Sequence, residues 1–154
     1  MSTSLASQEL TDLFLRDLER FQDQVAGYPD ESGLWVVEGS ILNSGGTLAA
    51  HGAGNLLHFV GAVLGGTGYV RDRPREFGGE VVPREELIAG LEEAARVLGD
   101  VLPGLTDEQW AAPMEGLPDR FAGRSTLWFL IHLYGHLNWH LGQLDYHRRI
   151  LGGG

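Results

Sequence analysis

The sequence predicts an all-α protein, a four-helix bundle, on three observations. Four long segments carry apolar residues at helical spacing. No stretch shows the strict alternation of a half-buried strand. The breaks between the segments are glycine- and proline-rich, which stops helices. Helix-on-helix packing is then the architecture that buries the apolar stripes. A length of 154 residues fits one domain over 1–154 with room for a core.

The first helix is expected over residues 5–26. Leu10, Phe14, Leu18, Phe21 and Val25 recur along one stripe, with Asp12, Arg16, Asp17, Glu19 and Arg20 around the polar side. GYPDESG at 27–33 breaks it. Trp35, Val36, Val37, Ile41 and Leu42 then form an irregular apolar connector ending at a turn-like NSGG, residues 43–46.

A second helix is expected over 47–64, TLAAHGAGNLLHFVGAVL. Its glycines at 52, 54 and 61 lower helix propensity by up to about 1 kcal/mol each, but permit close approach of a neighbour. Drawn at 100° per residue, His51, Asn55, His58 and Ala62 share one face. Residues 65–82 read as a long loop in which Arg71, Arg73 and Arg75 alternate.

A third helix runs from near Pro83, a residue suited to a first turn, to about Leu102, where Pro103 and Gly104 stop it. Thr106 to Gln109 has the form of a capping box, opening a short turn. A loop over 112–124 leads to Ser125 or Thr126 as cap of the last helix, which extends to Leu151. The terminal GGG reads as a frayed tail.

That last segment, STLWFLIHLYGHLNWHLGQLDYHRRIL, organises the rest. His132, His136, His140 and His147 lie at offsets of four, four and seven, all on one stripe, joined by Phe129 and Gln143. Other sectors carry Leu130, Tyr134, Leu141 and Leu151, so the helix is apolar on almost every side and expected to be buried. Buried imidazoles need partners. A divalent metal supplies one, and His at i and i+4 can grip a single ion. His132 and His147, at the ends of the stripe, read equally as paired or partly exposed polar residues. His136 and His140, facing a helix that carries His51, form the better metal candidate.

Composition excludes several classes. The formal net charge of −10 speaks against nucleic acid and anionic membranes. All eleven basic residues are arginine, and cysteine is absent, so any thiol chemistry must use an external thiol. The N-terminus lacks the basic and apolar regions of a signal peptide. The last run is long enough to span a bilayer, but its four histidines, Asn138, Gln143 and Asp145 argue against that. A soluble cytoplasmic protein is expected. The residue after His136 is Leu137, not the glutamate of a zincin, so that protease class is disfavoured. G-x-S-x-G is absent, and GAVLGGT at 61–67 lacks the lysine of a P-loop.

The pattern LAAHGAGNLLHF in the second helix, followed by GHLNWHLGQLDYHRRIL in the last, resembles the DinB-like (YfiT-like) metalloenzyme superfamily over essentially the whole chain. The closest part is the H-x-x-x-H-x-G-Q signature at 136–143. The resemblance implies an up-down-down-up bundle, frequently a homodimer, with a divalent metal held by three histidines that match His51, His136 and His140 here. His58, on the same face as His51, competes for the helix-2 role, and His132 extends the row without matching a ligand. Related proteins include transferases and isomerases that use low-molecular-weight thiols.

These features together lead to a metal-dependent enzyme with a small-molecule substrate, related to thiol-dependent S-transferases or isomerases. The alternatives are a non-catalytic metal-binding sensor or scaffold dimer, and a metal-dependent hydrolase. Asn55, His58 and His132 are the candidates to act beside the metal. Arg71 and Arg73 are the candidates to bind carboxylates of a thiol cofactor. The donor set does not choose among Zn, Ni, Fe and Mn. The glycines of the second helix and the apolar surface of so short a bundle point to a homodimer.

Overall fold

The computed structural model describes residues 3–152, which leaves outside the first two residues and the last two of the terminal glycine run. Helix α1, Leu5–Ala26, starts where the Ser4 side chain accepts the Ser7 N–H and ends at Gly27. Helix α2, Gly45–Leu56, is capped by Ser44 and continues without a break as a π-helix, Leu57–Leu64. Residues 43–46 are therefore the cap and first turn of α2, not a free turn, because the Ser44 hydroxyl takes the Thr47 N–H. The connector holds one 3-10 turn, Glu31–Trp35, and is otherwise irregular.

The segment expected to be a plain loop contains a short helix, α3, Arg73–Phe77. Asp72 caps it by accepting the Arg75 N–H, and Pro74 fits its first turn. Helix α4, Arg84–Val101, has Pro83 at its cap, not inside its first turn. Helix α5, Asp107–Ala111, opens with the expected capping box of Thr106 and Gln109. Helix α6, Thr126–Ile150, is capped by Ser125. Among the described residues there is no strand, only one isolated bridge between Pro113 and Ser125.

The four long helices make the bundle. α1 and α2 each pack against both α4 and α6, so α4 and α6 occupy opposite corners. The predicted stripe of α1 is buried as expected, and Phe14, Phe21, Leu91, Leu98 and Leu130 meet at the centre. Each such side chain contributes about 1.5–3 kcal/mol on burial.

Asp17 departs from its expected place on the polar side of α1. It is fully buried against α6, where it accepts hydrogen bonds from Tyr134 Oη at 2.6 Å and Asn138 Nδ2 at 3.0 Å, with Arg16 and Arg20 closing the outer edge. A short polar side chain can sit at a helix–helix seam when the facing helix brings donors to it.

The glycines of α2 face inward. A side chain at Gly52 would meet Phe21 of α1, one at Gly54 would meet Glu76 of α3, and one at Gly61 would meet Thr67 and Val97. They serve packing within the chain and do not form an outer face for a second copy. Gly45–Leu64 is the one stretch among the described residues long and apolar enough to cross a membrane, and most of it is buried in the bundle.

Candidate metal centre

Two rigid elements bring three imidazoles together. His136 and His140 are one turn apart on α6, and His51 comes from the middle of α2. His136 Nε2 lies 3.1 Å from His51 Nε2 and 3.1 Å from His140 Nε2. All three donor atoms fall within 4.8 Å of one another, and among the described residues no fourth histidine or carboxylate joins them.

Two of the three rings have their other nitrogen engaged. His51 Nδ1 lies 3.0 Å from Glu76 Oε1. Burial alone would push the Glu76 carboxyl up, but hydrogen bonds from His51 and Arg71 hold it below the usual range, so it is ionised and accepts only. His51 Nδ1–H is therefore the donor, and its Nε2 presents a lone pair to the centre. His140 Nδ1 donates in the same way to Gln143 Oε1 at 2.7 Å.

A proton on His136 Nε2 could satisfy one neighbouring lone pair but not both. A cation at the centre satisfies all three. Tetrahedral ligands at zinc–nitrogen distances would stand about 3.3 Å apart, close to the separations found here. Burial, then the neighbouring His140 and His51, lower the pKa of His136 to about 3. Burial also lowers that of His140. Both rings are thus unprotonated at neutral pH, the state a metal requires. The donor set fits a divalent ion with coordination positions left open.

Glu76 was legible in no sequence pattern. It is buried, sits in α3, and is held by Arg71 through Nε at 2.9 Å and Nη2 at 2.9 Å. Arg71 Nη2 also approaches His51 Nδ1 at 3.3 Å because both donors aim at the same Glu76 oxygen. Phe77, the next residue, lays its ring against His51 with centroids 4.5 Å apart, and Arg73 stands over the outer face of Phe77. A carboxylate that holds the far nitrogen of a ligand fixes its tautomer and its orientation.

The remaining candidates lie in different places. Asn55, one turn after His51, is buried, and its side chain makes no hydrogen bond among the described residues. His58 does not join the three donors; its ring lies on Phe59 at 4.7 Å. Its position along the helix accounts for this. Seven residues after His51, it stands about 10 Å further along the helix, two turns beyond the level at which the three donors meet. His132 stacks on Trp128, with planes 8° apart. His147 is buried and fully paired: it donates from Nε2 to the Val36 carbonyl at 2.8 Å and accepts from Tyr28 Oη at Nδ1, 2.6 Å away. It ties the connector to α6.

No curated protein matches the chain in sequence. Residues 13–144, which include all three histidines, match the sequence profile of the DinB superfamily, and the chain belongs to that superfamily.

Proposed function

We propose that the protein is a metal-dependent enzyme that activates a low-molecular-weight thiol for attack on a small electrophilic substrate, as an S-transferase or isomerase does. The observation that carries this reading is the convergence of three Nε2 lone pairs, two of them fixed by hydrogen bonds at Nδ1. A divalent ion held by three imidazoles supplies Lewis acidity and lowers the pKa of a thiol or water that reaches it. The absence of cysteine supports an external thiol, and a cytoplasmic setting, where small thiols stay reduced, suits it.

In this reading His51, His136 and His140 hold the ion, and Glu76 with Gln143 fix the rings of His51 and His140. Asn55 orients the incoming ligand with its free carboxamide. His58, whose pKa burial and then Arg71 lower, is a neutral acceptor for a proton near neutral pH. His132 borders the approach from the other side. Arg73 and Arg71 meet carboxylates of the thiol. Arg71 already serves both Glu76 oxygens, so Arg73 takes the larger share.

The experiment is elemental analysis of purified protein, followed by turnover of a model electrophile with and without added thiol. The expected result is about one divalent ion per chain and product only when thiol is present. Equal turnover without thiol would replace this reading with metal-dependent hydrolysis. Bound metal with no turnover under either condition would replace it with a metal-binding role.

A further inference from the structure

Of the eleven arginines, all but Arg73, Arg120 and Arg124 donate a side-chain hydrogen bond to another group of the chain. Among the described residues these three donate none. Each instead lies over an aromatic ring, Arg73 over Phe77 at 4.9 Å, Arg120 over Phe121 at 4.7 Å and Arg124 over Trp128 at 4.4 Å. A chain of net charge −10 has carboxylates to spare, and Glu115 and Asp119 stand in the same loop as Arg120 and Arg124. Neither pairs with them. A guanidinium that rests on a ring is held by the ring's negative face without using its N–H donors, which project from its edge. Those donors remain for an anion.

The rings beneath these arginines lead to the histidine rows. Phe77 lies against His51 at 4.5 Å, whereas Phe121 and Trp128 both lie against His132, at 4.8 and 5.4 Å. Arg73 therefore stands on the α2 side of the metal centre, and Arg120 with Arg124 on the α6 side. We propose that Arg120 and Arg124 bind an acidic group of the electrophilic substrate, which makes that substrate a carboxylic acid. That the pair takes an anion follows from the unspent donors alone. That the anion belongs to the electrophile rests on the thiol-dependent reading above, in which Arg73 serves the thiol from the other side.

The stripe of α6 also sets the shape of this acid. His132 and Trp128 precede His136 by one and two turns, about 6 and 12 Å along the axis. The carboxylate is thus held on the order of 10 Å from the metal centre, with the reacting carbon at the other end of the molecule. The body between them crosses ring faces, since Phe129 lies 5.7 Å from both Phe121 and His132 and continues the aromatic surface inward. An acid with an apolar or aromatic middle matches that path.

The test uses full-length protein, first without turnover. Calorimetric titration compares cinnamate with cinnamamide, which differ only in the acidic group. Cinnamate is expected to bind about tenfold more tightly or better, the worth of one charge-assisted hydrogen bond. Arg120→Gln and Arg124→Gln should each lose about that factor with helical spectra unchanged. Arg149→Gln, which removes the same charge from the far end of α6, should bind cinnamate as the wild type does. Equal binding of acid and amide would overturn the site. So would cinnamate binding that survives both loop substitutions, or an equal loss in Arg149→Gln. Turnover then assigns the acid. With one electrophile offered as its acid and as its amide, both loop substitutions should raise KM for the acid and leave KM for the amide and for the thiol. A rise in KM for the thiol instead would overturn the assignment to the electrophile. Cinnamate bound through Arg120 and Arg124 with no turnover at all would overturn that assignment together with the enzymatic reading, and leave the anion site standing.

Discussion

The place where a side chain at Gly54 would stand is filled by the carboxylate of Glu76. An added Cβ would press on Glu76 Oε2 well inside van der Waals contact, whereas one at Gly52 would make an ordinary contact with Phe21 at 3.5 Å. The glycine is there because α3 must bring its carboxylate to His51 across the surface of α2. Gly54→Ala is therefore expected to weaken metal binding about 10- to 100-fold, the range seen when a ligand's hydrogen-bond partner is disturbed. Gly52→Ala should bind metal normally and gain up to about 1 kcal/mol of stability from helix propensity. Metal titration and thermal melting of the two variants check this; equal affinities would separate Glu76 from the metal centre.

The ligand assignment predicts a different pattern. His51→Ala, His136→Ala and His140→Ala should each reduce bound metal from about one ion per chain to nearly none while the far-UV spectrum stays helical. His58→Ala should keep most of it, since His58 lies outside the three donors with its ring on Phe59. Elemental analysis after dialysis is the measurement. Full metal in any of the first three variants removes that residue from the site.

The apo protein should be acid-sensitive through His136. Its pKa is lowered to about 3 in the fold and returns to about 6.5 in the unfolded chain, which therefore binds the proton more readily. A lowered pKa means stability present above the unfolded value and lost as pH falls toward the folded one. Chelator-treated protein should thus lose melting temperature progressively below about pH 6.5. The metal-loaded protein should start higher, because the ion favours the folded state, and converge on the apo curve as protons displace the ion. Two melting series across pH 7 to 5 test this, and curves that coincide at every pH would remove the metal.

Asp17 predicts a second, lower acid transition. Burial pushes its carboxyl up, but hydrogen bonds from Arg16, Tyr134 and Asn138 outweigh that and hold it below the usual range. Its stabilisation is complete above the unfolded value of about 3.9 and is lost as pH falls through the lower folded value. Asp17→Asn should cost on the order of 1–3 kcal/mol at neutral pH and flatten the stability profile below about pH 4. Tyr134→Phe, which removes one donor, should cost about 1 kcal/mol. Denaturant unfolding at several pH values gives both numbers; an unchanged acid limb in Asp17→Asn would assign that limb to other carboxylates.

The sequence by itself determined the long helices, the capping box at Thr106, the cap of α6 and the pair His136–His140. Those features follow from contacts within a few residues: periodicity sets the buried stripe of α1, Thr106 and Gln109 satisfy each other, and an i, i+4 pair shares one side of a helix whatever surrounds it. His51 was also legible, through its likeness to the family pattern. Only the tertiary structure decided the rest. Glu76 lies 25 residues from His51 in a five-residue helix too short to show periodicity, and its role exists only once α3 folds over Gly54. His58 shares a face with His51 but stands about 10 Å further along the axis, and only the packing against α6 shows at which level of that face the three donors meet. The outer face of α6 stayed open for a related reason. Hydrophobic spacing says which residues share a side of a helix, but what lies against that side is set by where the other helices go, and in this bundle none goes there.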